Sequence, residues 1–157
     1  MKRRILVAGL GNVFFGDDGF GVAVARRLER ESIPGWARVA DFGIRSVHLA
    51  FELLDPPDLL VMVDAVTRDG APGTLYVIDP EDDASGGGVV VSDPHGMHPA
   101  AVLAAVRQMG GAVPRTRVVG CEPLDLAEKV GLSEPVAAAI TPAIEMIRQM
   151  LQAEHPR

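Results

Sequence analysis

The segment that most limits the fold is Asp58-Leu59-Leu60-Val61-Met62-Val63-Asp64, the most apolar stretch of the chain, with an acid at each end. Apolar residues follow one another without polar alternation. As a strand, such a run is buried on both faces, which is the habit of a parallel sheet covered by helices. Residues 4–9, Arg-Ile-Leu-Val-Ala-Gly, form a second run of this kind and predict a first buried strand ending in glycine. After it come a loop with Gly9, Gly11 and Asn12, a pair of acids at Asp17 and Asp18, and a helical pattern with Val22, Ala25 and Leu28 on one face. Asp17 is placed to cap that helix. Residues 37–42 predict a second strand, and Val47, Phe51 and Leu54 recur at helical spacing over 46–54.

Strand, helix, strand, helix, strand implies parallel pairing with right-handed crossovers. The next strand, over 74–79, follows a short Gly/Pro/Asp-rich loop. A parallel crossover needs about a dozen residues or more, so this strand is expected to run antiparallel. Residues 80–88 have the composition of a surface loop. A helix begins near Pro99, with Val102, Val106 and Met109 on its inner face. Residues 116–121 predict a fifth strand. A last helix covers 134–153, with Ser133 as its cap and Val136, Ile140, Ile144, Ile147 and Leu151 as its buried stripe; Pro142 should kink or split it. The expectation is an α/β chain with one domain over 1–157. It is a three-layer sandwich: a mostly parallel, twisted five-stranded sheet with one antiparallel strand and helices on both faces.

Composition narrows the function. The chain is 48% hydrophobic but only 4% aromatic, so its core is aliphatic. Its formal net charge is -6, and no basic cluster exceeds Lys2-Arg3-Arg4. That argues against a nucleic-acid partner, which needs a basic footprint to neutralise phosphates. No apolar stretch approaches the roughly 20 residues that span a bilayer, and Met1 leads into a strand pattern without a signal-peptide core. The expected compartment is the cytoplasm, with no membrane partner. The single Cys121 allows no internal disulfide.

In an open α/β sheet, ligands bind beyond the carboxyl ends of the strands, where strand order reverses. If the third strand lies across the first from the second, the crevice opens between strands one and three. Asp18 follows strand one and Asp64 ends strand three, so two acids converge there. Close carboxylates repel each other and call for a shared proton or a cation. His95, in Ser92-Asp93-Pro94-His95-Gly96-Met97, is the best third donor. The O/N set suits nickel, zinc, manganese or iron, and three protein ligands leave positions open for substrate or water. Simpler readings exist for each residue. Asp18 could favour the positive end of its helix, Asp64 could anchor a loop, and His95 could be a solvated loop histidine. His98 is better suited to capping the helix that follows than to pairing with His95. His48 falls in an apolar helix, where a structural partner is the simpler reading. Cys121 sits in a buried strand, where a small apolar thiol is the default. There is no G-x-S-x-G elbow, H-E-x-x-H or P-loop, and Phe14 occupies the third glycine position of a dinucleotide fingerprint.

Gly9-Leu10-Gly11-Asn12 with Asp17-Asp18-Gly19 and Gly21 resembles the N-terminal motif of the hydrogenase maturation proteases. Asp64-Ala65 resembles their second motif and His95-Gly96-Met97 their histidine loop. Gly120, Pro123, Gly131-Leu132 and Pro135 resemble their C-terminal segment. The motifs follow the family's order over nearly the whole chain. The resemblance implies an endopeptidase, classed as aspartic-type, that activates a hydrogenase by trimming the C-terminal extension of its nickel–iron large-subunit precursor after nickel insertion. It implies Asp18, Asp64 and His95 as metal-recognising and catalytic residues, nickel supplied by the substrate, no organic cofactor, and a monomer. One loop departs from the family pattern. Where many members have Asp-Gly-Gly followed by Thr or Ser, this chain has Asp41-Phe42-Gly43-Ile44, leaving Asp41 and Gly43 as expected substrate contacts.

Two other classes compete. A signalling receiver domain also places an acid pair after strand one and an Asp at the end of strand three, around magnesium. Asp17 is several residues too distant from strand one for that, and Lys129 does not end the fifth strand. A Rossmann-like binding module is disfavoured by Phe14.

Overall fold

The structure, a computed structural model, describes residues 3–80 and 98–154. In chain order it contains β1 (Ile5–Leu10), a 3₁₀ turn (Gly16–Gly19), α1 (Phe20–Glu29), β2 (Ala37–Gly43), α2 (Ser46–Glu52), β3 (Leu59–Ala65), β4 (Leu75–Ile78), α3 (Pro99–Gln108), β5 (Thr116–Cys121), α4 (Glu134–Ala138) and α5 (Ile140–Ala153). The sheet order is β2-β1-β3-β5-β4. β1 pairs in parallel with both β2 and β3, β3 pairs in parallel with β5, and β4 closes the edge antiparallel to β5. The chain leaves β1 to one side and returns on the other, which creates the expected switch point between β1 and β3.

Every residue of β1 and the first six of β3 are buried. Their alternate side chains feed two cores. Ile5, Val7, Val61 and Val63 pack with Val24 and Leu28 of α1 and with Ile144 and Ile147 of α5. Leu6, Ala8, Leu60 and Met62 pack with Leu49 and Leu53 of α2 and with Val102 and Val106 of α3. Helices therefore cover both faces, as the unbroken apolar runs require. Each fully buried Leu, Ile or Val contributes about 1.5–3 kcal/mol relative to exposure.

Several local expectations change. α2 forms where its spacing predicts but turns the other way: Leu49, Ala50 and Leu53 are buried, while Val47, Phe51 and Leu54 are exposed. Both sets satisfy a helical period, and the crossover from β2 to β3 decides which one meets the sheet. Met109 lies just beyond the end of α3 and is exposed, and Leu103 joins Val102 and Val106 inside. The final helix is split at Ala139, three residues before Pro142; the ring thus falls in the first turn of α5, where its missing N–H matters least. Ser133 occupies the N-cap position of α4, yet its side chain makes no capping bond. α1 likewise starts without a side-chain cap, so Asp17 is not the cap its position suggested. All but Pro80 of the expected 80–88 loop lies outside the described residues.

Candidate active site

The crevice is set by a close approach of backbone to backbone. A Cβ on Gly21, in the first turn of α1, would lie 1.9 Å from the Val63 carbonyl oxygen and 2.4 Å from that of Leu10. Only glycine lets the helix start against the carboxyl ends of β1 and β3 together. Gly11, at φ +127°, fills the next position: a Cβ there would lie 1.9 Å from the Asp18 carbonyl oxygen and 3.3 Å from Asp64 Oδ1. The Asp18 turn and the Asp64 carboxylate thus flank the same glycine, although 46 residues separate them in the chain.

Asp18 Oδ2 accepts the Asn12 N–H at 2.7 Å. Asp64 is 3% exposed, and its Oδ1 accepts the Ala65 N–H at 2.8 Å. Gly11 also donates its N–H to the Gly43 carbonyl at 3.0 Å, which ties the departing loop of β2 to the same place. At the end of β2 Asp41 accepts from Arg26 Nε at 3.1 Å, and Gly43 sits at φ +50°. Three of the five expected site residues, Asp18, Asp64 and Gly43, therefore adjoin Gly11, and Asp41 pairs with Gly9 next to them.

His95 lies outside the described residues. Three positions later His98 caps α3, its Nδ1 accepting the Ala101 N–H at 3.3 Å. Among the described residues no group of three His, Cys, Asp or Glu side chains is gathered for a metal ion. His48 is exposed and its ring stands 6.1 Å from that of Phe42, a structural contact. Cys121 is fully buried, and burial, with the charges of Asp17 and Glu122 behind it, pushes its thiol up to about 12. A thiol so disfavoured as thiolate is no nucleophile.

Two buried acids have roles that the sequence did not suggest: Asp17, expected as a helix cap, and Glu122. Asp17 is fully buried: its carboxylate accepts the N–H groups of Leu124, Asp125 and Ser133 and the Ser133 hydroxyl, at 2.7–2.9 Å. Burial alone would raise its pKa, but these bonds outweigh it and hold the group below the ordinary carboxylate range. Glu122 is 3% exposed, and its Oε1 accepts from Arg68 N, Gly70 N and Tyr76 Oη at 2.8–2.9 Å, fastening the loop that follows Asp64. A signal for Glu122 was present: it is an acid directly following a buried strand, β5. Nothing local marks Asp17 as an anchor, because its donors lie more than 100 residues away.

The carboxyl edge of the sheet also carries exposed apolar side chains: Phe14 after β1, Ile44 after β2, and Leu124, Leu126 and Val130 after β5. A separate open groove of about 730 Å³, lined by Arg4, Trp36, Arg38, Phe51 and Glu52 among others, sits at the opposite ends of β1 and β2, remote from the acids.

Comparison with known proteins accounts for this arrangement. Residues 22–150 match the family model of the hydrogenase maturation proteases. The hydrogenase 2 maturation protease of Escherichia coli K12 is 31% identical over 150 residues, covering 95% of this chain and 91% of its own. The structure superimposes on the E. coli hydrogenase maturating endopeptidase HybD with a TM-score of 0.80 at 29% identity, covering 96% and 93% of the two chains. For the [NiFe] hydrogenase maturation protease HycI of Thermococcus kodakarensis KOD1 the TM-score is 0.76 at 28% identity, with 96% and 94% covered. The receiver alternative finds no support among these, and Asp17, its second acid, is committed to residues 124–133. The chain belongs to the hydrogenase maturation protease family and is an endopeptidase of that type.

Proposed function

We propose that this endopeptidase removes the C-terminal extension of a nickel–iron hydrogenase large-subunit precursor after nickel has been inserted. In this reading Asp18, Asp64 and His95 contact the nickel carried by the precursor, and that contact brings the scissile bond into the crevice. Bound nickel supplies Lewis-acid character. The chain's own acids orient the ion and accept the proton of the attacking water. Asp41 and Gly43, tied to the crevice through Gly11, contact the extension. The exposed apolar side chains along the carboxyl edge suit a protein substrate better than a small molecule. One monomeric domain over 1–157 acts in the cytoplasm, without an organic cofactor, nucleic acid or membrane partner. Among the described residues no helix is long and apolar enough to cross a bilayer.

The observation that carries this reading is the meeting of Asp18 and Asp64 at Gly11, at the switch point of the sheet. The test is incubation with nickel-loaded precursor, scored by mass spectrometry for the released peptide. Wild-type protein should release it. His95→Ala should fold and release none. Processing at the wild-type rate by folded His95→Ala would remove His95 from the site.

A further inference from the structure

The turn that carries Asp18 has short-range bonds of its own, from Asp18 N–H to the Phe15 carbonyl at 3.1 Å and from Asn12 N–H to Asp18 Oδ2 at 2.7 Å. It is held as well by residues 124–133. Gly16 N–H donates to the Lys129 carbonyl at 2.8 Å, Asp17 N–H to the Asp125 carbonyl at 2.9 Å, and Lys129 N–H to the Phe14 carbonyl at 2.9 Å. Gly16 takes φ +55° here, and a Cβ on it would come within 2.6 Å of the Asp125 oxygen. The Asp17 carboxylate adds its four bonds to Leu124, Asp125 and Ser133. Three of these donors bond Oδ2 and one bonds Oδ1, all from this one segment. The surface ion pair Lys129–Asp125, at 2.7 Å, is exposed and contributes little by comparison.

We infer that Asp17 is a positioning residue for the reaction: by locking residues 124–133 onto the Gly16–Gly19 turn, it fixes the backbone from which the Asp18 carboxylate reaches the Asn12 N–H, beside the glycine that Asp64 also flanks. The inference rests on the proposed role of Asp18. Asp18 has one neighbour on each side with a fixed task. Asp17 faces inward to the segment, and Gly19 passes the chain to α1. With both fixed, the Asp18 side chain faces Asn12, whose N–H it accepts at 2.7 Å. Loosening Asp17 frees the turn to rotate, and a displacement of about 1 Å at a reacting group lowers rate by up to about 100-fold. Substrate docking, which uses a wider surface, should be less affected.

Three variants test this. Asp17→Asn keeps the shape but turns one acceptor into a donor facing the Ser133 or the Leu124 and Asp125 donors. Ser133→Ala removes one bond and is the milder change should Asp17→Asn fail to fold. Ser133→Thr keeps the hydroxyl. As a control, Ile147→Val in α5 loosens the core away from the turn. The first readout is amide hydrogen exchange at Asn12, which needs no substrate. Exchange there should quicken at least about tenfold in Asp17→Asn or Ser133→Ala while the amides of Val7 and Val61 stay protected, and Ser133→Thr should restore it. The second is precursor cleavage: kcat should fall about 10- to 100-fold in Asp17→Asn, and several-fold in Ser133→Ala, with KM within about twofold. Ile147→Val should leave both unchanged. If Asn12 protection falls only in step with the core amides, or kcat tracks global stability through Ile147→Val as well, Asp17 is an ordinary structural acid and the inference fails. If Asn12 exchange responds as expected but wild-type protein cleaves no nickel-loaded precursor, the clamp stands and the proposed substrate falls.

Discussion

Adjacent acids in this chain have opposite fates. Asp17 is sealed in the interior with four donors, and Asp18 faces the crevice with the Asn12 N–H. Removing a buried acceptor leaves its donors unsatisfied at about 1–3 kcal/mol each, so Asp17→Ala should lose at least about 3 kcal/mol by chemical denaturation. Asp18→Ala should stay within about 1 kcal/mol of wild type and be inactive. The pH dependence follows from the lowered pKa of Asp17. A carboxylate held below its unfolded value stabilises the fold above that value, and the contribution fades as pH falls through the folded one. The stability gap between wild type and Asp17→Ala should therefore be widest near neutral pH and narrow below about pH 4. A gap that is constant from neutral to acid pH would show that the ionised form of Asp17 is not what the donors hold. From the sequence Asp17 is expected to cap α1, and the structure gives it another task. A helix cap is a local explanation, and the Asp17 contacts are long-range.

At the scale of elements, the strands were legible because burial on both faces leaves a plain mark: the runs at 4–9 and 58–64 became β1 and β3 with ends shifted by a residue. The antiparallel β4 followed from loop length alone. Helix faces were less legible. Val47, Phe51 and Leu54 hold the same period as a buried stripe, and only the partner sheet distinguishes them from Leu49, Ala50 and Leu53. Asp64 could be placed because it ends a buried strand. The convergence of the end of β2 on Gly11 could not, since it depends on one backbone bond across the α1 crossover. The α1 start gives a prediction. Gly21→Ala puts a Cβ within 1.9 Å of the Val63 carbonyl oxygen, a backbone atom with no rotamer to yield. The helix must move off the sheet, at a cost of about 3 kcal/mol or more in denaturant unfolding. Because α1 follows the Asp18 turn directly, cleavage should fall as well. An unchanged denaturation midpoint would mean the helix start is looser than this packing implies.

For the whole molecule, the question is where the metal resides. A hydrolytic metalloenzyme holds its ion with supporting bonds around each ligand. In the proposed function the ion instead arrives with the precursor, and Asp64 and Asp18, each accepting a backbone N–H, meet it there. Under the proposed function, the purified protein should carry little stoichiometric metal. After chelation and removal of the chelator it should still cleave nickel-loaded precursor and should fail on nickel-free precursor of identical sequence. Affinity for the loaded precursor should contain a metal-bridged part that disappears in Asp64→Ala and His95→Ala alike. Equal cleavage of the nickel-free precursor would show that the acids act without reading nickel, and tight stoichiometric zinc would point to ordinary metallopeptidase chemistry.

The Asp17 clamp also puts a clock on biosynthesis. The carboxylate emerges near the start of the chain, but its last partner, Ser133, is 116 residues downstream. At about 5–20 residues per second of translation, the acid waits roughly 6–23 s for its donors. β1 can find β2 and β3 in that interval, so the sheet can assemble around an unfinished crevice. The enzyme therefore becomes competent late, when the segment that fixes the Asp18 turn has left the ribosome. A chain truncated before residue 124 would keep both acids of the candidate site and lack the segment that fixes the turn carrying one of them.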